Sequence, residues 1–471
     1  MSERVLYSGY LTFRNETFSF SFDGAELHLI PTEEKEESFK WKWLTDGFNK
    51  WAYSSSSEKV INEKYIVGEC FETSSRIVFF LTLGRYINQN NAALVLFPFA
   101  FILFKYNRES IDCMSFMGAE INHIHPTTKA LIHDHDAEIR SFSVKTVSLD
   151  KTRTTERKFE AFGKKVKVYF GGSVHVTSNI DRNPLQIDSL IIVKFEPTDD
   201  YEFLYNIYNI TKSFIQFLSY RKNVKIEQVS LSAPYGEGQH EKCADFFIVD
   251  DDNEQESYPI EKDMFIHQED IDGIEGLILS DIAERKIILR HLPESYRQGR
   301  SINESRFVMI VAAFEWEFDR LYPKGIIKSQ KRIEAEKGCS EKLQELVEGS
   351  TGKAREIYKF LSKEVVCVGS LENKIVQTLN DFPQMNDIFG KELYRLNEET
   401  FDIPAIGSRL SKQRNHFAHG DLDEGFIEEA LLDLIYLEWI IYAMQLRVYG
   451  LSDDNIHRAI NSLFKQNKVL K

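Results

Sequence analysis

An α+β protein is predicted, a β-rich N-terminal domain followed by an all-α helical bundle, and three observations predict it. Most of the 35 Phe and 20 Tyr fall before residue 230, a bias that suggests β-rich packing there. At 17–22 the chain reads TFSFSF, so Phe18, Phe20 and Phe22 share one face of a half-buried strand. From 307 the period changes. Phe307, Ile310, Val311, Phe314, Phe318 and Leu321 recur at three and four residues, the spacing of a buried helix face. At 471 residues the chain exceeds one ordinary core, so length suggests two or three domains, and the change of period divides the chain into 1–295 and 300–471.

The elements follow in order. Residues 92–104 are the most apolar run, interrupted by Pro98. This run is shorter than the roughly 20 residues a membrane-spanning helix needs, so it reads as buried strand and no membrane is expected. Segments 164–170 and 173–177 flank Gly171-Gly172. Two glycines can both take positive φ, which predicts a two-residue hairpin. Further strands are expected at 189–195 and 224–231, with a helix at 201–220 between them. Residues 250–256 are acidic and polar and read as an exposed loop. A helix is expected at 271–292, and the polar stretch 296–303 makes a linker. The helix that begins near 307 is stopped by Pro323. Others are expected at 352–381, 386–397, 403–417 and 424–448. Ser452 is then a suitable N-cap for a last helix to about 466.

Composition narrows the class. A net charge of −15 argues against indiscriminate coating of nucleic acid, because phosphate binding is driven by Lys and Arg displacing counterions. RNA held at a local basic site remains compatible with it. Cys70, Cys113, Cys243, Cys339 and Cys367 are scattered and form no CxxC pair, so neither a disulfide framework nor a cysteine zinc site is expected. The start, MSERVLYSGYLTF, carries Glu3 and Arg4 and no apolar stretch of a secretory leader. A reduced cytoplasmic protein is expected.

The segment richest in chemistry is SKQRNHFAHG at 411–420. A helix carrying Leu410 should end there, because Gly420 and the acidic residues 421–424 open the next one. Arg414 and His419 are five residues apart, about 140° on an ideal helix, so they meet only if the helix unwinds towards Gly420. RNA can be cut without a metal because its own 2′-OH is the nucleophile. The protein must take up that proton, stabilise the charge on the phosphorane and protonate the leaving oxygen. A histidine suits the proton transfers near neutral pH, and an arginine fork suits the charge on the non-bridging oxygens. Asn415 offers an amide to orient either group, and His416 either lines the cleft or faces solvent. The plainer reading is an arginine and a histidine capping a helix terminus, where cations are favoured.

Arg414-Asn415-x-x-x-His419 resembles the Arg-x(4–6)-His signature of the HEPN superfamily, in the form with a polar residue after the arginine. Glu315 lies off the apolar stripe of the 307–321 helix, where that family often carries an acidic residue. Arg306-Phe307 together with Phe314-Glu315 resembles the ApeA-type branch of antiphage defence proteins. The resemblance covers about 300–450. It implies a homodimer or higher homo-oligomer formed through the HEPN domain, with both motifs facing one RNA-cutting cleft. It further implies a metal-independent, cofactor-free endoribonuclease acting on tRNA in abortive infection, and an N-terminal domain that senses a phage-derived trigger or holds substrate. Arg414, His419, Asn415 and Glu315 would be the catalytic set, with His416 and Lys412 beside them on RNA. The alternative is a non-catalytic HEPN dimer that binds RNA or regulates.

Other constellations compete. His123, His125, His133 and His135 lie within thirteen residues, and in strands each His-x-His would put both rings on one face, as a metal site requires. Polar-loop histidines are the commoner explanation. Residues 151–170 interleave cations, Lys164 and Lys165 among them, with Phe159, Phe162, Tyr169 and Phe170, a pattern that suits single-stranded RNA. A solvated hairpin with alternating exposed lysines, which also protect an edge strand, is the preferred explanation. Lys328, Lys331 and Arg332 would reach RNA at the cleft rim or decorate a loop. Arg285 and His291 repeat the Arg…His spacing on an expected apolar helix and are taken as a decoy. Gly349-Ser-Thr-Gly-Lys353 fails as a phosphate loop, since Val347 and Ala354 stand where Gly and Ser/Thr are needed.

Overall fold

The computed structural model describes residues 6–31, 60–85, 88–90, 93–126, 130–136, 141–178, 185–236, 239–249, 264–366, 370–419, 425–426 and 429–468. The expected loop at 250–256, Cys367, Gly420 and the acidic 421–424 lie outside them. Contacts gather the chain into two units: Met1–Gln216 with Asn223–Gln255 and Glu275–Glu284, and Phe217–Lys222 with Glu256–Ile274 and Arg285–Lys471. The chain is thus mixed, with a large antiparallel sheet in its N-terminal part and a helical C-terminal part. The second unit draws segments from within 1–295 because Tyr442 Oη donates to Phe217 O (2.9 Å) and Ile266 N to Leu218 O (2.8 Å).

In the first unit, fourteen strands among the described residues form one antiparallel sheet. From edge to edge they are Arg157–Ala161, Lys164–Val176, Leu185–Thr198, Ile111–Met117, Gln228–Tyr235, Gln239–Ile248, Pro98–Phe104, Arg76–Leu81, Tyr65–Cys70, Tyr7–Phe13, Glu16–Phe22, Leu27–Pro31, Ala93–Leu96 and Asn88–Asn90. The TFSFSF alternation is realised: Phe18, Phe20 and Phe22 are buried, and Phe22 meets Phe79 and Phe101 edge-on at 5.0 and 5.1 Å. Arg14 and Asn15, both at positive φ, turn Tyr7–Phe13 into Glu16–Phe22. A two-residue turn of this kind matches the twist of the strands it joins.

The expected hairpin at Gly171-Gly172 does not form. Both glycines lie inside the single strand Lys164–Val176, paired with Leu190 and Ser189. Neither has positive φ. A two-glycine turn needs flanking strands that pair with each other, and here both halves pair with Leu185–Thr198 instead. The strand expected at 224–231 runs at Gln228–Tyr235. His123 lies in helix α1 (Ala119–Ile124), not in a strand, and His125 caps it with Nε2 2.8 Å from Thr152 O. His133 and His135 lie in a strand, Leu131–Asp136, and their side chains are outside what is described. No group of three metal-ligating side chains occurs among the described residues. Helix α2 (Tyr201–Ser219) follows its expected span and turns Leu204, Ile207 and Phe214 inward. The helix expected at 271–292 shrinks to α3 (Glu275–Ala283), because Arg285 at positive φ stops it and turns follow.

In the second unit, 296–303 is not a free linker: Tyr296–Gly299 is a helical turn, and Arg306 Nη1 donates to Gly299 O (2.7 Å) and Ser301 O (3.0 Å). Then come α4 (Glu304–Leu321), α5 (Gln330–Gly349), α6 (Gly352–Val366), α7 (Leu371–Asp381), α8 (Lys391–Leu396), α9 (Ile403–His419), α10 (Ala430–Val448) and α11 (Asp453–Leu463). Side-chain oxygens of Asn303, Ser329, Ser370 and Ser452 cap α4, α5, α7 and α11. α5 was not expected. Its exposed surface carries pairs such as Arg332 with Glu336 at 2.9 Å, so it shows little apolar period. The single helix expected at 352–381 is α6 and α7. The helix expected from 424 is described from Ala430. α10 is apolar almost all round and buried, with α4 and α9 packed on it. Among the described residues no helix is long and apolar enough to cross a membrane.

Candidate active site

Two ion pairs with buried carboxylates fix the frame. Arg306 of α4 donates to Glu438 of α10 at 2.8 Å, and the Tyr220 hydroxyl donates to the same carboxylate. Arg409 of α9 grips Asp433 of α10 with two bonds of 2.7 Å, and Tyr394 donates to it as well. Burial pushes the Asp433 carboxyl up, while Arg409 and Tyr394 oppose the rise. A planar fork on a carboxylate sets rotation as well as distance. Arg409 therefore fixes the roll of α9 against α10, and with it the faces on which residues 412–419 stand.

α9 buries Ile406, Leu410, Gln413 and Phe417, and Gly407 lets α7 approach. A Cβ there would lie 3.0 Å from Glu372 O and 3.1 Å from Val376 Cγ2. Beside this stripe stands Arg414, half exposed. Its Nη2 is 3.9 Å from Glu315 Oε2 on α4, and its Nη1 donates to Asn415 Oδ1 at 3.3 Å. Glu315 in turn lies 3.9 Å from Lys374 Nζ on α7. Lys374 is only 7% exposed, sits over the Phe318 ring and also reaches Asp319 at 3.3 Å. The structure thus brings together Arg414, Asn415 and Glu315 from the expected set and adds Lys374. A signal for Lys374 exists in sequence: Leu371, Lys374, Ile375, Thr378 and Leu379 share one helical face, so a lysine stands at a core position.

His419 does not join them. α9 stays helical through His419 instead of unwinding before it. Ideal helix geometry then leaves Arg414 and His419 about 140° apart around the axis. No hydrogen bond or ion pair links the two among the described residues. His419, Asn415 and Lys412 are exposed and His416 is half-buried. Lys412, His416 and His419 follow at four and three residues, the spacing of one helical face.

The remaining basic residues are scattered. Lys328 and Arg332 both bind Glu336, at 2.6 and 2.9 Å, on and beside α5, and Lys331 is exposed on that helix rather than on a loop. In the other unit Lys164 bonds Thr198 Oγ1 at 2.8 Å and covers Phe203, whereas Lys165 is exposed. The rings interleaved there are not a stacking platform: Phe159, Tyr169 and Phe170 are buried and only Phe162 is exposed. Cross-strand pairing does align Lys158, Lys167 and Lys194 in one row.

Lys374 invites a stability test. Lys374→Met keeps the packing of the stem and removes a charge whose partners are solvent-accessible. Urea unfolding is expected to change by no more than about 1 kcal/mol. Lys374→Glu, which sets a third carboxylate against Glu315 and Asp319, is expected to cost on the order of 3 kcal/mol or more. Equal losses in the two variants would show that packing, not charge, matters at this position.

The supposed decoy also has a distinct environment. Arg285 is exposed, but His291 is buried in a turn. Burial pushes its ring down to about 3, Arg306 and Lys222 add repulsion, and the Ile288 carbonyl pulls the other way. The Tyr220 ring lies 6.3 Å from it. Between about pH 3 and 6.5 the unfolded chain protonates this ring and the folded chain does not, so stability should fall as pH drops through that window. At about 1.36 kcal/mol per unit the full effect approaches roughly 4–5 kcal/mol. Urea midpoints at pH 7 and pH 4 for the wild type and His291→Phe check it: the acid loss should be smaller in the variant.

Comparison with family models, with curated proteins and with solved structures finds no match for this chain.

Proposed function

We propose that this chain is a metal-independent endoribonuclease of the HEPN type that serves antiphage defence, with tRNA the substrate its motif implies. The observation that carries the reading is the pairing of Glu315 with Arg414 on the helix whose last turn bears the exposed His419. At 3.9 Å and partly in water, this ion pair is weak, so a phosphate can compete for the guanidinium. Arg414 would steady the phosphorane, Glu315 and Asn415 would orient Arg414, and His419 would move protons between the 2′-OH and the leaving oxygen. One copy directs Arg414 and His419 to different sides of α9. The reading therefore needs two copies that face one cleft, the homodimer the resemblance implies. Lys412 and His416 would then flank the RNA, and the sheet unit would sense the trigger or hold substrate.

The second reading, a non-catalytic dimer that binds RNA or regulates, draws on the same separation of Arg414 from His419. Expression in growing cells distinguishes the two. A nuclease arrests growth and fragments tRNA, and His419→Ala relieves both. If wild type and His419→Ala behave alike, the binding module is the better account.

A further inference from the structure

We propose that a cavity on the sheet of the first unit binds the adjacent phosphate groups of a small molecule, a function separate from any RNA cutting at Arg414 and His419. The cavity, of about 810 Å³, lies wholly within that unit and is lined by Lys158, Lys165, Lys167 and Lys194 among others. Its volume lies within the range of small-molecule sites.

The strand register builds a row of lysines. Lys158 stands directly opposite Lys167, and Lys167 directly opposite Lys194. Residues so placed share a face of the sheet, and like charges in that position destabilise it. On the other face of the same strands Phe170 and Phe195 meet Phe214 and Phe203 of α2, so the lysines stand on the face away from that helix. The row is only partly offset within the chain. Lys167 lies 3.6 Å from Glu156, but Arg153 holds the same carboxylate at 2.6 Å. The ammonium groups of Lys158 and Lys194 make no ion pair among the described residues. Lys194 Nζ lies 5.6 Å from the centre of the Tyr169 ring, and the Arg153 guanidinium covers that ring at 4.0 Å. Adjacent phosphates carry several negative charges to neighbouring ammonium groups, and so would offset a repulsion that the empty row retains.

The carboxylates of the lining stand around this row rather than along it. Glu156 is engaged as described, and Asp112 is held by His240 Nδ1 at 3.1 Å. Glu160 and Glu196 are exposed, with Glu160 opposite Lys165. Both repel phosphate and accept from hydroxyl groups. An ester would therefore set its phosphates on the lysines and its hydroxyls on these acceptors. Inorganic pyrophosphate and a nucleoside diphosphate share the chemistry that the lysine row recognises.

The test titrates the full chain by calorimetry in EDTA with pyrophosphate, adenosine diphosphate, adenosine monophosphate and a 2′-deoxy oligonucleotide, which cannot be cut through a 2′-OH. Pyrophosphate and the diphosphate should bind. The other two, whose phosphates stand singly, should bind about tenfold more weakly or worse. Tighter binding of adenosine diphosphate would identify an ester as the source, and equal or tighter binding of pyrophosphate would identify the phosphates alone. Lys158→Gln and Lys194→Gln should each weaken pyrophosphate binding by about tenfold. Because each relieves repulsion, neither should lower the unfolding midpoint. No binding of either diphosphate, equal binding of the monophosphate, or displacement of pyrophosphate by the oligonucleotide at equal concentration would overturn the proposal. Wild-type affinity in both lysine variants, or a lowered midpoint in both, would do the same.

Discussion

Replacing His419 with alanine is expected to lower RNA cleavage by about 10²–10⁴-fold, the usual contribution of a positioned general acid or base. His419 is exposed at the end of α9, so the change should leave the fold intact. Arg414→Ala should cost a comparable factor through loss of charge stabilisation. Because ideal helix geometry separates the two side chains by about 140° within one copy, the reading makes a further demand. Co-expressed Arg414→Ala and His419→Ala chains should form mixed oligomers in which one intact arginine faces one intact histidine. Activity should return in part. Persistent inactivity of purified mixed oligomers would place arginine and histidine in the same copy and would contradict the two-copy cleft.

Arg409→Leu is expected to destabilise the helical unit by about 3–5 kcal/mol, measured by urea unfolding at neutral pH. Asp433 is fully buried, and Arg409 supplies its two charged bonds. Without that partner only the Tyr394 hydroxyl remains, and the carboxylate is left uncompensated. The burial that already raises the Asp433 pKa would then raise it further, so the loss should shrink at acid pH as Asp433 becomes neutral. Replacing Arg409 and Asp433 together by leucines should cost less than Arg409→Leu alone, since no buried charge is stranded. A double variant as unstable as the sum of the singles would show the two residues acting independently.

Much of the fold was legible because the periods are strong. Phe18, Phe20 and Phe22 alternate, and Phe307 to Leu321 repeats at helical spacing; both became the elements expected. Pairing partners were not legible. Gly171-Gly172 suits a turn locally, yet both halves of that stretch add to a neighbouring strand, and nothing within ten residues reports it. α5 was missed for the opposite reason: its stabilising contacts are pairs of charged and polar side chains rather than an apolar face. At the candidate site, the motif and Glu315 were readable. The anchoring of α9 by Arg409 on Asp433 was not, because the partners lie on different helices. The expectation that α9 would unwind rested on Gly420. The helix instead persists to His419, and this persistence sends the two motif side chains to different faces.

Arg414 and His419 are proposed to act together on one phosphodiester through the 2′-OH of RNA. Incubation of end-labelled tRNA in EDTA with wild type, Arg414→Ala and His419→Ala, followed by identification of the new ends, tests it most directly. Cleavage is expected from wild type alone, leaving 2′,3′-cyclic phosphate and 5′-hydroxyl ends. Cutting undiminished in both variants, cutting that vanishes in EDTA, or 5′-phosphate ends would contradict it.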